Sequence, residues 1–281
     1  MSEIVAQEGE LEGVGHLKLF TRTWRPEGKI RGVVIIVHGF LAHSGRYQWV
    51  AEQLVQDGLA VYAFDLRGHG KSGGDRYWVD HFADYETDLA EFVELVKSRE
   101  PGLPTFVLGH SAGGVIATLY ALHHQSEVTG LIAESFAFET PPPELILTAL
   151  KGIAHILPHA AVLALKPEDF SRDPKVVEDM KNDPLIIHTP GPAQTLAELI
   201  RAHDELAQSF GTITLPVLII HGTADKATKP HGSQRFFDET GSTDKTLKLY
   251  EGHFHDLLSD LGKEEVMGDI VTWINARIPG A

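Results

Sequence analysis

Six short apolar runs, separated by helical patterns, constrain the fold of this chain more than any other feature. They lie at residues 32–39, 59–65, 105–110, 130–135, 215–222 and 246–252. Each run is almost continuously apolar, which is typical of strands buried on both faces of a sheet. Helical patterns between such strands indicate crossover connections. The sequence therefore predicts an α/β fold with a mostly parallel central sheet flanked by helices.

Three further patterns extend these layers. Residues 80–99 repeat apolar side chains on one helical face, and residues 262–277 give a closing amphipathic helix. Residues 16–24 alternate between apolar and polar side chains, which favours an antiparallel edge strand. With 281 residues, of which 43% are hydrophobic, the chain is suited to one core with an insertion.

The regular alternation stops at residue 136 and resumes at 213, a gap too long for a plain crossover connection. Three consecutive prolines at 141–143 open this segment, and the apolar stretch from Leu145 to Leu165 follows. Long insertions on such scaffolds usually become lids. We expect residues 1–135 and 213–281 to form the core and residues 136–212 to form an inserted helical cap. The alternative is a helical excursion that only packs on the sheet.

Composition excludes several classes of function. The chain has no cysteine, so disulfides, thiolate metal sites and a cysteine nucleophile are excluded. Its formal net charge of -15 argues against nucleic-acid binding, because a phosphate backbone needs a basic surface. The first residues lack the basic start and apolar stretch of a secretory signal, so we expect a cytoplasmic location.

The segment Gly109-His110-Ser111-Ala112-Gly113 carries the strongest chemical signal. It follows a predicted strand and precedes a helical pattern, which is the context of a G-x-S-x-G nucleophile turn. Small neighbours allow the tight turn that exposes the serine hydroxyl. We therefore predict that Ser111 is a catalytic nucleophile.

A serine nucleophile needs a base, and the base needs a carboxylate to orient it. Asp225 follows a predicted strand directly and is the candidate acid, although it could simply be a turn residue. His253 and His255 both follow the last predicted strand, and either could be the base. The order Ser, acid, His along the chain fits the α/β-hydrolase arrangement.

Backbone N–H groups next to the serine should bind the oxyanion of the reaction. The helix after Ser111 offers the N–H of Ala112, and the His38-Gly39 turn offers the N–H of Phe40. Gly39 could instead serve only the turn.

Sixteen histidines raise the question of a metal site, but their spacing argues against one. No H-E-x-x-H motif occurs, and adjacent histidines on a helix diverge. A Ser, His and Asp set also requires no metal or other cofactor, and we predict neither.

Several longer motifs, taken together, resemble one protein family. They are His38-Gly39, His43 to Tyr47, Asp65 to Ser72, Pro101 to Pro104, Gly109 to Gly114, Gly222 to Asp225 and Asp244 to Gly252. In this order they resemble the monoacylglycerol lipase group of α/β-hydrolases, also called serine aminopeptidase-like or lysophospholipase-like. The resemblance covers nearly the whole chain and implies the α/β-hydrolase fold. It also implies that His255, three residues after Gly252, is the catalytic base.

The chain departs from better-studied lipases of this group at three places. Ala112 stands where a methionine is common, Phe40-Leu41-Ala42 replaces small and acidic residues, and the predicted cap matches weakly. These differences leave the chemistry intact and affect the contacts that would recognise glycerol.

The function implied is hydrolysis of carboxylic esters through an acyl-enzyme. A monoacylglycerol is the leading substrate, with lysophospholipids and short-chain esters as alternatives, and a peptidase or non-catalytic binding protein as less favoured ones. The apolar cap should select the acyl chain and could make transient contact with lipid surfaces. The residues expected to line the substrate pocket are Leu41, His110, Leu145, Ile146 and Ala149.

Overall fold

One eight-stranded sheet forms the centre of the protein. The computed structural model describes residues 4–139 and 151–280. The sheet contains β1 (Gln7–Gly13), β2 (Leu17–Trp24), β3 (Gly32–Val37), β4 (Leu59–Phe64), β5 (Thr105–His110), β6 (Gly130–Glu134), β9 (Val217–Gly222) and β10 (Lys245–Tyr250). Its order is β1-β2-β4-β3-β5-β6-β9-β10. Strand β2 pairs antiparallel with β1 and β4, and all the other neighbours are parallel.

Helices cover both faces of this sheet. They are α1 (Gln48–Gln56), α2 (Ala83–Arg99), α3 (Ala112–His123), α4 (Pro174–Asn182), α5 (Ala193–Ser209), α6 (Pro230–Glu239) and α7 (Lys263–Asn275). Helices α2, α3 and α5 contribute to one apolar cluster, whereas α1 and α7 contribute to a second. Val33, Ile35 and Val37 of β3 belong to the first cluster, and Val34 and Ile36 belong to the second. This alternation follows from the two-residue period of a strand. The protein therefore has the α/β-hydrolase fold.

The apolar runs predicted the strands well, with one error at the sheet edge. All six runs correspond to parallel strands, and residues 17–24 form the predicted antiparallel strand. That strand is not at the edge, because β1 pairs along its outer side. Residues 7–10 of β1 are exposed and mostly polar, so the strand has no hydrophobic pattern by which it could be recognised.

The chain between β6 and β9, residues 135–216, leaves the sheet and is called the insertion here. It contains helical residues at 151–156, then β7 (Ala161–Leu163), α4, β8 (Gly191–Pro192) and α5. Strands β7 and β8 pair antiparallel in a separate two-stranded sheet. Helix α5 packs on α3, so the insertion has a firm contact with the core. Among the residues described, no helix is long and apolar enough to cross a membrane.

Close contact between α3 and the end of β3 fixes where α3 begins. A Cβ atom on Gly113 would lie 2.1 Å from the carbonyl oxygen of Val37 and 2.4 Å from that of His38. Both atoms belong to the backbone and cannot swing aside. The first turn of α3 therefore requires glycine at this position.

We expect Gly113→Ala to lower the free energy of unfolding by about 2 to 3 kcal/mol, as overpacking does in other cores. Gly268→Ala is the matched control, because Gly268 lies in α7 with no atom near its missing Cβ. This control should gain about 1 kcal/mol from the better helix propensity of alanine. Urea unfolding of both variants measures the effects, and equal stability of the two would contradict this account of the packing.

Candidate active site

Ser111 lies in a strained turn between β5 and α3. Its backbone has φ 56° and ψ -120°, a region that residues other than glycine rarely adopt. The Ser111 N–H donates to the carbonyl oxygen of Glu134 at 2.9 Å, and the Ser111 carbonyl accepts from the N–H of Gly114 at 2.9 Å. We call residues 109–114 the serine turn. It holds the Ser111 side chain at the carboxyl edge of the parallel strands, as the sequence motif predicts.

Glycines let other parts of the chain approach this turn. A Cβ on Gly109 would lie 2.4 Å from the carbonyl oxygen of Gly113. A Cβ on Gly39 would lie 2.8 Å from the Cβ of Ser111, so the loop after β3 touches the serine directly. This contact brings the backbone of residues 39 and 40 next to the candidate nucleophile.

Asp225 and His255 meet although 30 residues separate them in the sequence. Asp225 follows β9, His255 follows β10, and Oδ2 of the aspartate lies 2.7 Å from Nδ1 of the imidazole. The other aspartate oxygen, Oδ1, accepts from the backbone N–H groups of Ala227 at 2.7 Å and Thr228 at 2.9 Å. The Thr228 hydroxyl donates to Oδ2 at 2.8 Å. The carboxylate therefore has a fixed orientation toward His255.

A second histidine also binds Asp225, and sequence analysis missed it. Nε2 of His221 lies 3.0 Å from Oδ2 of Asp225, and the Ser233 hydroxyl lies 2.7 Å from Nδ1 of His221. When Ser233 donates to Nδ1, the ring proton is on Nε2 and is donated to the carboxylate. The only sequence signal was a histidine at the end of a strand, four residues before Asp225.

The two imidazoles keep Asp225 ionised. Burial alone would raise the pKa of Asp225, but His255 and the hydrogen bond from His221 outweigh burial and hold the pKa well below its usual range. Burial lowers the pKa of His221, which favours its neutral form. A buried negative charge therefore lies behind Nδ1 of His255.

The other ring nitrogen of His255 is available for proton transfer. Nε2 of His255 is buried and has no hydrogen-bond partner among the residues described. Phe170 of the insertion packs edge-on against the ring, with 4.8 Å between ring centroids. His253 points elsewhere, since its ring packs near Tyr250. Of the two histidines considered from sequence, the structure brings His255 to Asp225.

Residues 251–262, called the histidine loop here, are tied to the insertion through Asp260. The Asp260 carboxylate accepts from the backbone N–H of Phe254 at 3.0 Å within the same loop. It also accepts from the backbone N–H and from Nε of Arg172, both at 2.7 Å. The Asp256 N–H donates to the carbonyl oxygen of Phe170 at 2.8 Å. Phe170 is therefore fixed against His255 by the same contacts that hold the loop.

The predicted oxyanion residues lie on the two segments that meet at the serine turn. Nδ1 of His38 donates to the carbonyl oxygen of Gly39 at 2.7 Å, while its Nε2 accepts from the Leu66 N–H at 2.9 Å. This arrangement fixes the peptide between Gly39 and Phe40, because its carbonyl must point toward His38. Because the peptide is planar and trans, the N–H of Phe40 then points in the direction opposite to that carbonyl. The roles of Phe40 and Ala112 stay predictions.

Of the predicted pocket residues, Leu41 and His110 lie within the described part of the chain. Leu41 is buried against Phe170, Met180 and Ile186 of the insertion. His110 is buried beside the His255 ring, with 4.8 Å between centroids, and burial lowers its pKa to about 4. Leu145, Ile146 and Ala149 lie outside the described residues.

Comparison with known sequences places this geometry in a family. The family described as serine aminopeptidase, S33, matches residues 28–262. The chain is 33% identical to a monoacylglycerol lipase from Mycolicibacterium smegmatis over 96% of this chain and 98% of that protein. It is 32% identical to the monoglyceride lipase of Rattus norvegicus, covering 92% and 88%. It is also 31% identical to the caffeoylshikimate esterase of Arabidopsis thaliana, covering 93% and 83%.

Solved structures agree with this placement. The monoacylglycerol lipase of Paleococcus ferrophilus is 31% identical and superposes with a TM-score of 0.83, covering 92% of this chain and 99% of that one. A soluble variant of the monoglyceride lipase of Saccharomyces cerevisiae shares the fold, with a TM-score of 0.88 at 24% identity and coverage of 99% and 97%. The chain therefore belongs to the serine aminopeptidase S33 family of α/β-hydrolases and, within it, to the monoacylglycerol lipase-like group.

Proposed function

We propose that the protein is a serine hydrolase that cleaves carboxylic esters, most readily monoacylglycerols. The single observation that carries this proposal is the 2.7 Å contact between Asp225 and His255. The His255 ring packs 4.8 Å from that of His110, whose neighbour in sequence, Ser111, lies on a strained turn between a strand and a helix. Such an arrangement activates a hydroxyl for attack on a carbonyl carbon.

In the proposed cycle, Oγ of Ser111 attacks the ester carbonyl while Nε2 of His255 takes the hydroxyl proton. Asp225 stabilises the imidazolium that forms. The tetrahedral intermediate collapses, His255 gives the proton to the leaving alcohol, and the acyl group stays on Ser111. Water then attacks the acyl-enzyme by the same route and releases the acid. The N–H groups of Phe40 and Ala112 would bind the oxyanion, each contributing about 3 kcal/mol.

The relatives and the apolar side chains near His255 support a substrate with an acyl chain. The two lipase relatives are named for monoacylglycerols, and their alignments with this chain cover nearly its whole length. Phe170 packs on the His255 ring, and Leu41 packs with Phe170 in one apolar cluster. A general esterase is the second candidate, because the caffeoylshikimate esterase relative is nearly as similar. Lysophospholipids stay an alternative of the same chemistry.

We further infer that residues 136–212 act as a cap over the site and contact lipid. Phe170 of this segment packs on His255, which supports a position above the site. Ile153, Ile156 and Leu157 are 40%, 77% and 61% exposed. Three large apolar side chains this close together are typical of a surface that binds lipid or protein. The cytoplasmic location stays a prediction from the sequence.

Ser111→Ala should lower kcat/KM for monoacylglycerols and for p-nitrophenyl esters by about 10⁴-fold or more, because the acyl-enzyme cannot form. Ser98→Ala, on the exposed surface of α2, is the matched control and should keep native activity. Ester hydrolysis across several chain lengths measures both variants. Native-like activity in Ser111→Ala would overturn the proposal.

His255→Ala should reduce kcat by about 10⁴-fold or more, whereas His253→Ala should keep most of the activity. The reason is that His255, and not His253, binds the Asp225 carboxylate. The same ester assay compares the two variants, and circular dichroism checks that both are folded. A greater loss in His253→Ala would show that the base has been assigned to the wrong histidine.

Replacing Ile156 and Leu157 together by serine should weaken binding to phosphatidylcholine vesicles by about tenfold or more, since burial of one such side chain contributes about 1.5 to 3 kcal/mol. Hydrolysis of a short, water-soluble ester should change little. Leu249→Ser is the control, because Leu249 is 45% exposed but lies on β10. Equal vesicle binding by all three proteins would exclude this surface as the lipid contact.

A further inference from the structure

Three buried ionisable groups meet behind the candidate active site, outside the Ser111, Asp225 and His255 set. They are His110 at the end of β5, Glu134 at the end of β6 and Asp256 directly after His255. One nitrogen or oxygen atom of each lies within 4.8 Å of the others. Their exposures are 2%, 0% and 8%. His110 precedes Ser111 in the sequence, and Asp256 follows His255. A change in the cluster would therefore affect both the candidate nucleophile and the candidate base.

Glu134 connects the serine turn with the histidine loop. Its backbone carbonyl accepts from the N–H of Ser111 at 2.9 Å. Its side-chain Oε1 accepts from the backbone N–H of Leu258 at 3.1 Å. One residue therefore holds the strained backbone of the nucleophile with its main chain and the loop of the base with its side chain.

The remaining polar atoms of the cluster point to a retained proton. Oε2 of Glu134 and Nδ1 of His110 are both buried and have no hydrogen-bond partner among the residues described. Burial next to the Asp256 carboxyl group disfavours an ionised Glu134, so Glu134 retains a proton. Nη2 of Arg46 lies 3.8 Å from Oδ2 of Asp256, and its positive charge disfavours a metal cation in the cluster.

We propose that Glu134 is a positioning residue that retains a proton beside Asp256 and, in this neutral form, holds the serine turn and the histidine loop in register. The inference rests on the proposed function only where it assigns catalytic roles to Ser111 and His255. The contacts of Glu134 stand without those roles.

The sign of the pH effect follows from the environment of Glu134. Burial raises the pKa of Glu134 well above its usual range, and the charge of Asp256 raises it further. The stabilising neutral form is therefore present at low pH and is lost as the pH rises through the folded-state pKa. The titratable and charged groups around Glu134 are His110, Asp256, Arg46, Tyr47 and Tyr250. Ionisation of Glu134 would place its negative charge next to the Asp256 carboxylate, and the two would repel each other where the serine turn meets the histidine loop.

Glu134→Gln provides the test, because glutamine has nearly the shape of the neutral acid but does not ionise in this pH range. Its free energy of unfolding and its kcat/KM are compared with those of the native protein from about pH 5 to about pH 10. The ratio of variant to native kcat/KM should rise with pH, by up to about tenfold per pH unit once Glu134 ionises. The difference in stability should shift in favour of the variant at lower pH, between the ordinary pKa of a glutamate in the unfolded chain and the raised folded-state pKa of Glu134. Glu134→Ala should lose activity at every pH, because Leu258 loses its acceptor.

Glu100→Gln is the matched control. Glu100 is also buried and pairs with Tyr62 and Arg25, but it lies at the end of α2, away from the site. The Glu100→Gln substitution should destabilise the protein without altering the pH profile of its activity. A pH-independent difference between Glu134→Gln and the native protein would overturn the proposal, as would a Glu134→Gln protein that fails to fold.

The unfolding measurement separates this inference from the proposed function. If the native protein hydrolyses no ester, the pH dependence of unfolding still shows whether Glu134 retains a proton. If Ser111→Ala stays active while Glu134→Gln behaves as expected, the catalytic assignment is wrong and the inference about protonated Glu134 is supported.

Discussion

The strained backbone of Ser111 is the constraint on which the candidate site depends. A positive φ at a residue with a side chain is unfavourable and persists only when surrounding contacts enforce it. Here Gly113 packs on the end of β3, Gly39 touches Ser111, and the Glu134 carbonyl accepts the Ser111 N–H. These contacts come from the ends of β3 and β6, the two strands that pair with β5. Pairing of β3, β5 and β6 is therefore needed for the serine to keep its conformation.

The two buried carboxyl groups near the site differ in charge, since Asp225 is an anion and Glu134 is neutral in the form proposed above. Asp225 receives hydrogen bonds from two imidazoles, a hydroxyl and two backbone N–H groups, all of which favour its anion. Glu134 is buried next to Asp256, and its Oε2 has no partner among the described residues, which together favour its neutral form. Asp225 binds the imidazole ring of His255, and Glu134 binds the backbone of the histidine loop at Leu258.

Apolar runs predicted the parallel strands, because one residue pattern determines a buried strand. Ser111, Asp225 and His255 each follow a strand, as the sequence indicates, and their catalytic roles stay predictions. Strand β1 was missed because its exposed residues are mostly polar and its pairing with β2 comes from backbone bonds. His221 and Glu134 were missed for another reason. Each is an ordinary residue at the end of a strand, and only its partner from another part of the chain reveals its place.

The strand order also has a consequence for the time course of folding. Strands β6 and β9 are neighbours in the sheet, yet residues 135–216 separate them along the chain. Contacts between residues far apart in sequence form slowly, because the long loop must close before the contact stabilises it. During synthesis the strand carrying Glu134 therefore exposes an unpaired edge until β9 is made and docks. Over that interval the nascent chain has a serine turn but no base, and its open strand is the part that most needs protection from association with other chains.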